Sequence, residues 1–122
     1  SEVEPSGASN QITGGYLLAS QRAVDPSRST YGPRKLMIRP WHPFTKESQQ
    51  AVTPNEATEY KIEIYPTSAI IKAGDRLRLT LGTANTFTTL TPLPDLGQEL
   101  GGTITLLHDG QHQSNVLLPF AP

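Results

Sequence analysis

The sequence predicts an all-β domain built as an antiparallel sandwich, and three observations point there. Apolar and polar residues alternate with a period of two in several segments, the pattern of strands with one wet face. Turn formers are dense, with 10 Gly and 11 Pro in 122 residues. No segment carries a helical period, and Pro26, Pro33, Pro40, Pro43 and Pro54 break the stretch from Val24 to Asn55 into extended pieces and turns. Short strands separated by turn signals suit a stack of two sheets.

The elements follow in chain order. Gly15-Tyr16-Leu17-Leu18-Ala19-Ser20 is a continuous apolar run that reads as a strand, and Lys35 to Arg39 reads as a short one. Glu59-Tyr60-Lys61-Ile62-Glu63-Ile64-Tyr65 gives the clearest alternation: Tyr60, Ile62 and Ile64 share one face, Glu59, Lys61 and Glu63 the other. Pro66 ends it, because proline has no N–H for a ladder. Lys72-Ala73-Gly74-Asp75 is a turn in which Gly74 can take positive φ. It leads into Arg76-Leu77-Arg78-Leu79-Thr80-Leu81, again alternating. If the two strands are neighbours, Glu59 and Glu63 face Arg76 and Arg78, pairs that tune register at about 0.2–1 kcal/mol each. Thr83 to Thr91 suits a further strand, and Pro92 to Gly97 a loop. Thr103 to His108 and Ser114 to Leu118 flank Asp109-Gly110, a hairpin signal. A three-residue loop, with His108 opposite His112 and Ile104 opposite Val116, keeps apolar residues on one face. The expected core is Tyr60, Ile62, Ile64, Leu77, Leu79, Leu81, Ile104, Leu106, Val116 and Leu118.

Length limits the chain to one domain, 1–122, or part of one. A net charge of −1 argues against a nucleic-acid partner held by bulk electrostatics, which needs a basic excess to displace counterions. The absence of Cys removes disulfides, thiol nucleophiles and thiolate metal sites together, but leaves the compartment open between a bacterial cytoplasm and secretion. No run approaches the ~18 apolar residues of a membrane helix, so no membrane partner is expected. The first five residues, Ser-Glu-Val-Glu-Pro, do not have the pattern of a signal peptide.

Candidate chemistry is sparse. The nucleophile elbow of an α/β-hydrolase, Gly-x-Ser-x-Gly, does not occur; Gly7-Ala8-Ser9-Asn10-Gln11 fails at its last position. His108, His112 and Asp109 are the metal candidates, because the hairpin would set the two histidines across from each other. Hairpin tips are polar for ordinary reasons, and a solvated turn is the reading these residues favour. Trp41 and Tyr31, with Tyr16 and Phe44, are the candidates for stacking on a sugar ring. No phosphate-cradling glycine loop is present. Glu59 and Glu63 share a strand face with Lys61 between them, which an exposed face explains without glycosidase chemistry. These residues assign no catalytic group and no cofactor.

Several motifs in order resemble one family. Tyr16-Leu17-Leu18-Ala19-Ser20-Gln21-Arg22-Ala23-Val24-Asp25-Pro26 is similar to a G-x-L-R-A-S-x-R-x-x-D segment. Arg39-Pro40-Trp41-His42-Pro43 is similar to R-P-x-H-P, and Val52-Thr53-Pro54-Asn55-Glu56 to L-T-P-G-E with Val in place of Leu. Tyr60 to Ser68 is similar to I-x-I-W-P-T-S, with Tyr65 where Trp is common, and Gly74 to Leu79 to G-x-R-L-R-L. These belong to the C-terminal (PepX-C) domain of CocE/NonD and X-Pro dipeptidyl-peptidase-type serine hydrolases. The resemblance implies a jelly-roll β-sandwich of the galactose-binding-like kind. It also implies a partner, the α/β-hydrolase domain of the same parent chain, which carries the catalytic triad. Parents of this kind are X-Pro dipeptidyl-peptidases, acyl esterases and α-amino-acid ester hydrolases. Family domains begin with strands ahead of a D-V-x-P-D-G element, here Glu2-Val3-Glu4-Pro5-Ser6-Gly7. The resemblance thus implies an N-terminally truncated domain lacking its first strands, and bared strands lead us to expect self-association. An independent carbohydrate-binding module is the alternative reading.

Overall fold

A computed structural model describes residues 1–82 and 103–119. The expected strand from Thr83 to Thr91 and the loop from Pro92 to Gly97 lie outside the described residues. The chain divides into two units, Ser1–Arg78 with Val116–Pro122, and Leu79–Asn115. All strand pairing is antiparallel, and helical structure among the described residues amounts to two single 3₁₀ turns, Ala19–Gln21 and Pro33–Lys35. The domain is all-β.

In the first unit, β1 (Glu2–Val3) lies between β2 (Ser9–Asn10) and β5 (Arg76–Leu77). Val3 pairs with Ser9 on one side and Arg76 on the other. The turn from β1 to β2 closes because Gly7, at φ 89°, donates its N–H to the Glu4 oxygen at 2.9 Å. Gly74 does the same service before β5, at φ 95° beside the Asp75 N–H to Lys72 oxygen bond of 3.0 Å. Flanked on both sides, Val3 is the one hydrophobic side chain buried among the described residues, at 9% exposure.

β3 (Thr30–Tyr31) and β4 (Met37–Arg39) form a hairpin, with Thr30 opposite Arg39 and Tyr31 opposite Met37 across an irregularity. Its tip places Arg34 and Lys35 at φ 61° and 57°. Two consecutive non-glycine residues in the left-handed region cost about 1–2 kcal/mol each, so the hairpin holds its tip under strain.

Several expectations are corrected. Gly15–Ser20 is not a strand; it has no regular structure until the 3₁₀ turn begins at Ala19. The segments 59–65, 103–108 and 114–118 form no strand either. Without a ladder partner they have no sheet to hold a face inward. The period of two survives at 60–64 with its faces exchanged: Lys61 and Glu63 are half-buried, while Tyr60, Ile62 and Ile64 are exposed. None of the expected core residues is buried; Leu77, Leu79, Leu81, Ile104, Leu106, Val116 and Leu118 are exposed as well. The physical reason is that, among the described residues, no layer covers these faces. Cross-strand charge pairing differs too. Glu63 meets Arg39 at 3.0 Å and Glu59 meets Lys61, while Arg78 bonds the Ser9 hydroxyl at 2.7 Å.

Candidate functional site

The best-connected part of the first unit gathers residues from the motifs quoted above. Gly15 sets the entry. A Cβ there would stand 1.9 Å from the Glu63 oxygen and 3.2 Å from the Ile64 Cα, so only glycine lets the two backbones approach this closely. The Tyr65 N–H donates to the Gly14 oxygen at 2.9 Å, and the Thr13 hydroxyl to the Tyr65 oxygen at 2.7 Å.

Arg22 follows on the 3₁₀ turn. Its guanidinium donates to the carbonyl oxygens of Ala19 (3.0 Å), Gln50 (3.1 Å) and Ala51 (2.9 Å). This planar fork fixes the 49–51 segment, which also donates the Gln50 N–H to the Ser20 oxygen at 2.8 Å. Asp25 organises the next turn. Its carboxylate accepts from the Ser27 hydroxyl at 2.6 Å and from the Ser27 N–H at 2.9 Å. The Ser27 hydroxyl bond, more than any other contact, holds the Asp25 carboxyl below the usual carboxylate range. The Asp25 N–H donates to the Trp41 oxygen at 2.9 Å, and the Trp41 N–H to the Ser29 hydroxyl at 2.9 Å.

His42 is the buried polar residue at the centre, at 7% exposure. Its Nδ1 lies 2.9 Å from the Ala23 oxygen and its Nε2 2.8 Å from the Lys61 oxygen, so one ring joins three stretches of chain. The Phe44 ring packs against it at 5.6 Å between centroids, on a backbone at φ 52°. Beside this cluster runs an open groove of about 460 Å³ between Ala23–Pro26 and Glu56–Lys61. Both cations on its wall are engaged, Arg22 by carbonyls and Lys61 by Glu59, so neither is available to bind an anion there.

The other sequence candidates lie as follows. The Arg28 guanidinium lies over the Trp41 ring at 4.3 Å and occupies that face, and the buried Trp41 indole N–H has no hydrogen-bond partner. Tyr31 is exposed on β3. Tyr16 sits edge-on to Tyr65 at 6.0 Å, and the hydrogen bond that the Tyr65 phenol donates to Tyr16 holds its proton above the ordinary phenol range. In the second unit, the Asp109 carboxylate accepts from the N–H groups of Gln111 and His112, both at 2.8 Å, and lies 3.1 Å from the His112 Nδ1. The backbone N–H bond from His112, with that from Gln111, draws the Asp109 carboxyl below its ordinary range. The turn pairs Asp109 with His112 through a 3.0 Å backbone bond, one residue away from the expected pairing of His108 with His112. Among the described residues no three His, Cys, Asp or Glu side chains gather as a metal-binding group.

Sequence reasoning overlooked Gly15, Arg22 and Asp25 as organising residues, although Arg22 and Asp25 stood in a motif already quoted and Gly15 at the head of an expected strand. Alternation identifies faces, and these three act through carbonyls and turns, which leave no periodic trace.

Among the described residues no helix is long and apolar enough to cross a membrane. No curated protein matches the chain, and no solved structure does. One family model does, over residues 1–117: the X-Pro dipeptidyl-peptidase C-terminal non-catalytic domain. With that match covering nearly the whole sequence, and with motif residues found clamping backbone carbonyls and turns, the chain belongs to the family of X-Pro dipeptidyl-peptidase C-terminal non-catalytic domains.

Proposed function

We propose that this chain is the β-sandwich module of a serine hydrolase of the X-Pro dipeptidyl-peptidase, acyl esterase or α-amino-acid ester hydrolase type. It packs on the α/β-hydrolase domain of its parent and shapes it, while bond cleavage takes place there. The uncovered apolar faces are the observation that carries this reading. Ile62 and Ile64 are each 38% exposed and Leu77 51%. Apolar faces left open in this way call for a covering partner, and a catalytic domain in the same polypeptide supplies one at high effective concentration. Finishing the burial of each isoleucine contributes about 1 kcal/mol. A jelly-roll closed by strands ahead of β1 fits the same need.

The 122-residue chain and the full-length parent should be assayed side by side on an activated ester and an X-Pro peptide. The parent turns over at least one of them with saturation, and the isolated chain turns over neither. Ile62→Glu with Ile64→Glu in the parent lowers the yield of assembled enzyme or its thermal stability. Saturable hydrolysis by the isolated chain would refute the reading. Self-association through the same faces is the competing arrangement; light scattering on the isolated chain tests it, and a monomer argues against it.

A further inference from the structure

We propose that the tip of the β3–β4 hairpin is a docking finger for an acidic protein segment. Charge is unevenly spread along the chain. From Pro26 to Lys46 stand five basic residues (Arg28, Arg34, Lys35, Arg39 and Lys46) and no Asp or Glu, half of the 10 basic residues in the sequence. The remainder holds the other five together with all 11 acidic residues, a net charge of −6. At the foot of the hairpin the cations are used within the chain. Arg39 pairs with Glu63 at 3.0 Å, and Arg28 lies over the Trp41 ring at 4.3 Å. At the tip they are not. Arg34 and Lys35 are exposed, and among the described residues no carboxylate pairs with either.

The backbone points the same way. Arg34 and Lys35 stand at φ 61° and 57°, where glycine fits without strain. The Gly32 N–H donates to the Leu36 oxygen at 2.9 Å, which closes the tip and holds the two cations in place. A tip that only had to turn the chain is better served by glycine, and two long cations there carry a cost that a binding role offsets. Apolar side chains flank them: Tyr31 and Leu36 are each 45% exposed and Ile38 51%. This mixture of guanidinium, ammonium, aromatic and aliphatic surface suits a protein partner. Carboxylates meet the cations, and an apolar residue between them covers Leu36 or Ile38. A nucleic acid or an anionic membrane is negative over a wide area, so it also repels the net −6 of the remaining chain. A short acidic segment meets the finger alone, because charges beyond about 10 Å are screened.

Fluorescence anisotropy on the 122-residue chain tests this with a short dye-labelled peptide of glutamates around one phenylalanine. The peptide is expected to bind, and more weakly as salt rises. Arg34→Glu with Lys35→Glu is expected to lower the affinity about tenfold or more. Lys72→Glu, a reversal at the exposed turn before β5, is expected to lower it by less than about twofold. Arg34→Gly separates binding from folding: it relieves the tip, so the melting temperature holds or rises while the affinity falls about threefold. No binding of the peptide, equal losses from the tip and from Lys72→Glu, or full affinity in Arg34→Gly overturns the proposal. So does tip-dependent binding of phosphatidylserine vesicles or of a DNA oligonucleotide in place of the peptide, which makes the partner a polyanion.

Discussion

Gly15→Ala is the sharpest probe of the fold. The added methyl would sit 1.9 Å from the Glu63 oxygen, whereas real Cβ atoms essentially never come within 3.0 Å of another heavy atom. One backbone must retreat by about an ångström, and both are anchored. That movement strains or breaks the Tyr65 N–H to Gly14 bond and the Thr13 hydroxyl bond to Tyr65. Two net hydrogen bonds at about 1 kcal/mol each, plus an overpacking cost of about 1–3 kcal/mol, place the loss near 3–5 kcal/mol. For a chain of this length that lowers Tm by roughly 12–20 °C. Gly14→Ala is the matched control, since its Cβ meets only the Gln11 side-chain nitrogen, at 3.5 Å. Thermal denaturation followed by circular dichroism measures both. If Gly15→Ala melts within about 2 °C of Gly14→Ala, the two backbones do not approach as described and the reasoning fails.

Arg22→Lys keeps the charge but cannot reach three carbonyls at once, so chemical denaturation should show a loss of about 1–3 kcal/mol; an unchanged midpoint would show that the fork is idle. Asp25 has its carboxyl drawn down in the folded chain, chiefly by the Ser27 hydroxyl. Its contribution is therefore present above the unfolded Asp value of about 3.9 and is lost as the pH falls through the lower folded value. Asp25→Asn should accordingly flatten the acid limb of a stability–pH curve, and an identical limb in the variant would contradict this. Arg34→Gly relieves a left-handed backbone at an exposed tip and should stabilise the chain by up to about 1 kcal/mol. A loss of stability there would mean that the Arg34 side chain does more than the strained backbone costs.

How far the residues could be read depends on what each signal encodes. Period two at 60–64 is real in the structure, since accessibility alternates there, but alternation states that two faces differ, not which one is covered. Lys61 and Glu63 lie inward because the backbone beside them meets His42 and Gly15, and that depends on partners far away in sequence. The turn before β5 was legible because glycine at positive φ is a local property. Gly74 was expected to take that conformation and does. The family was legible from motif order, and the match over residues 1–117 agrees. The hairpin at Asp109 missed its register by one residue, because the Asp109 side chain bonds two backbone N–H groups and tightens the turn beyond what apolar patterning alone favours.

The placement of β1 bears on how the chain acquires its structure. β1 and β2 can meet almost as soon as both exist, joined by the tight turn through Gly7. The other edge of β1 pairs with Arg76 and Leu77, which are synthesised much later. Until then Val3 has only half of its shelter. Contacts so distant in sequence slow folding, so a nascent chain has a long interval in which that edge is free to pair with the wrong strand.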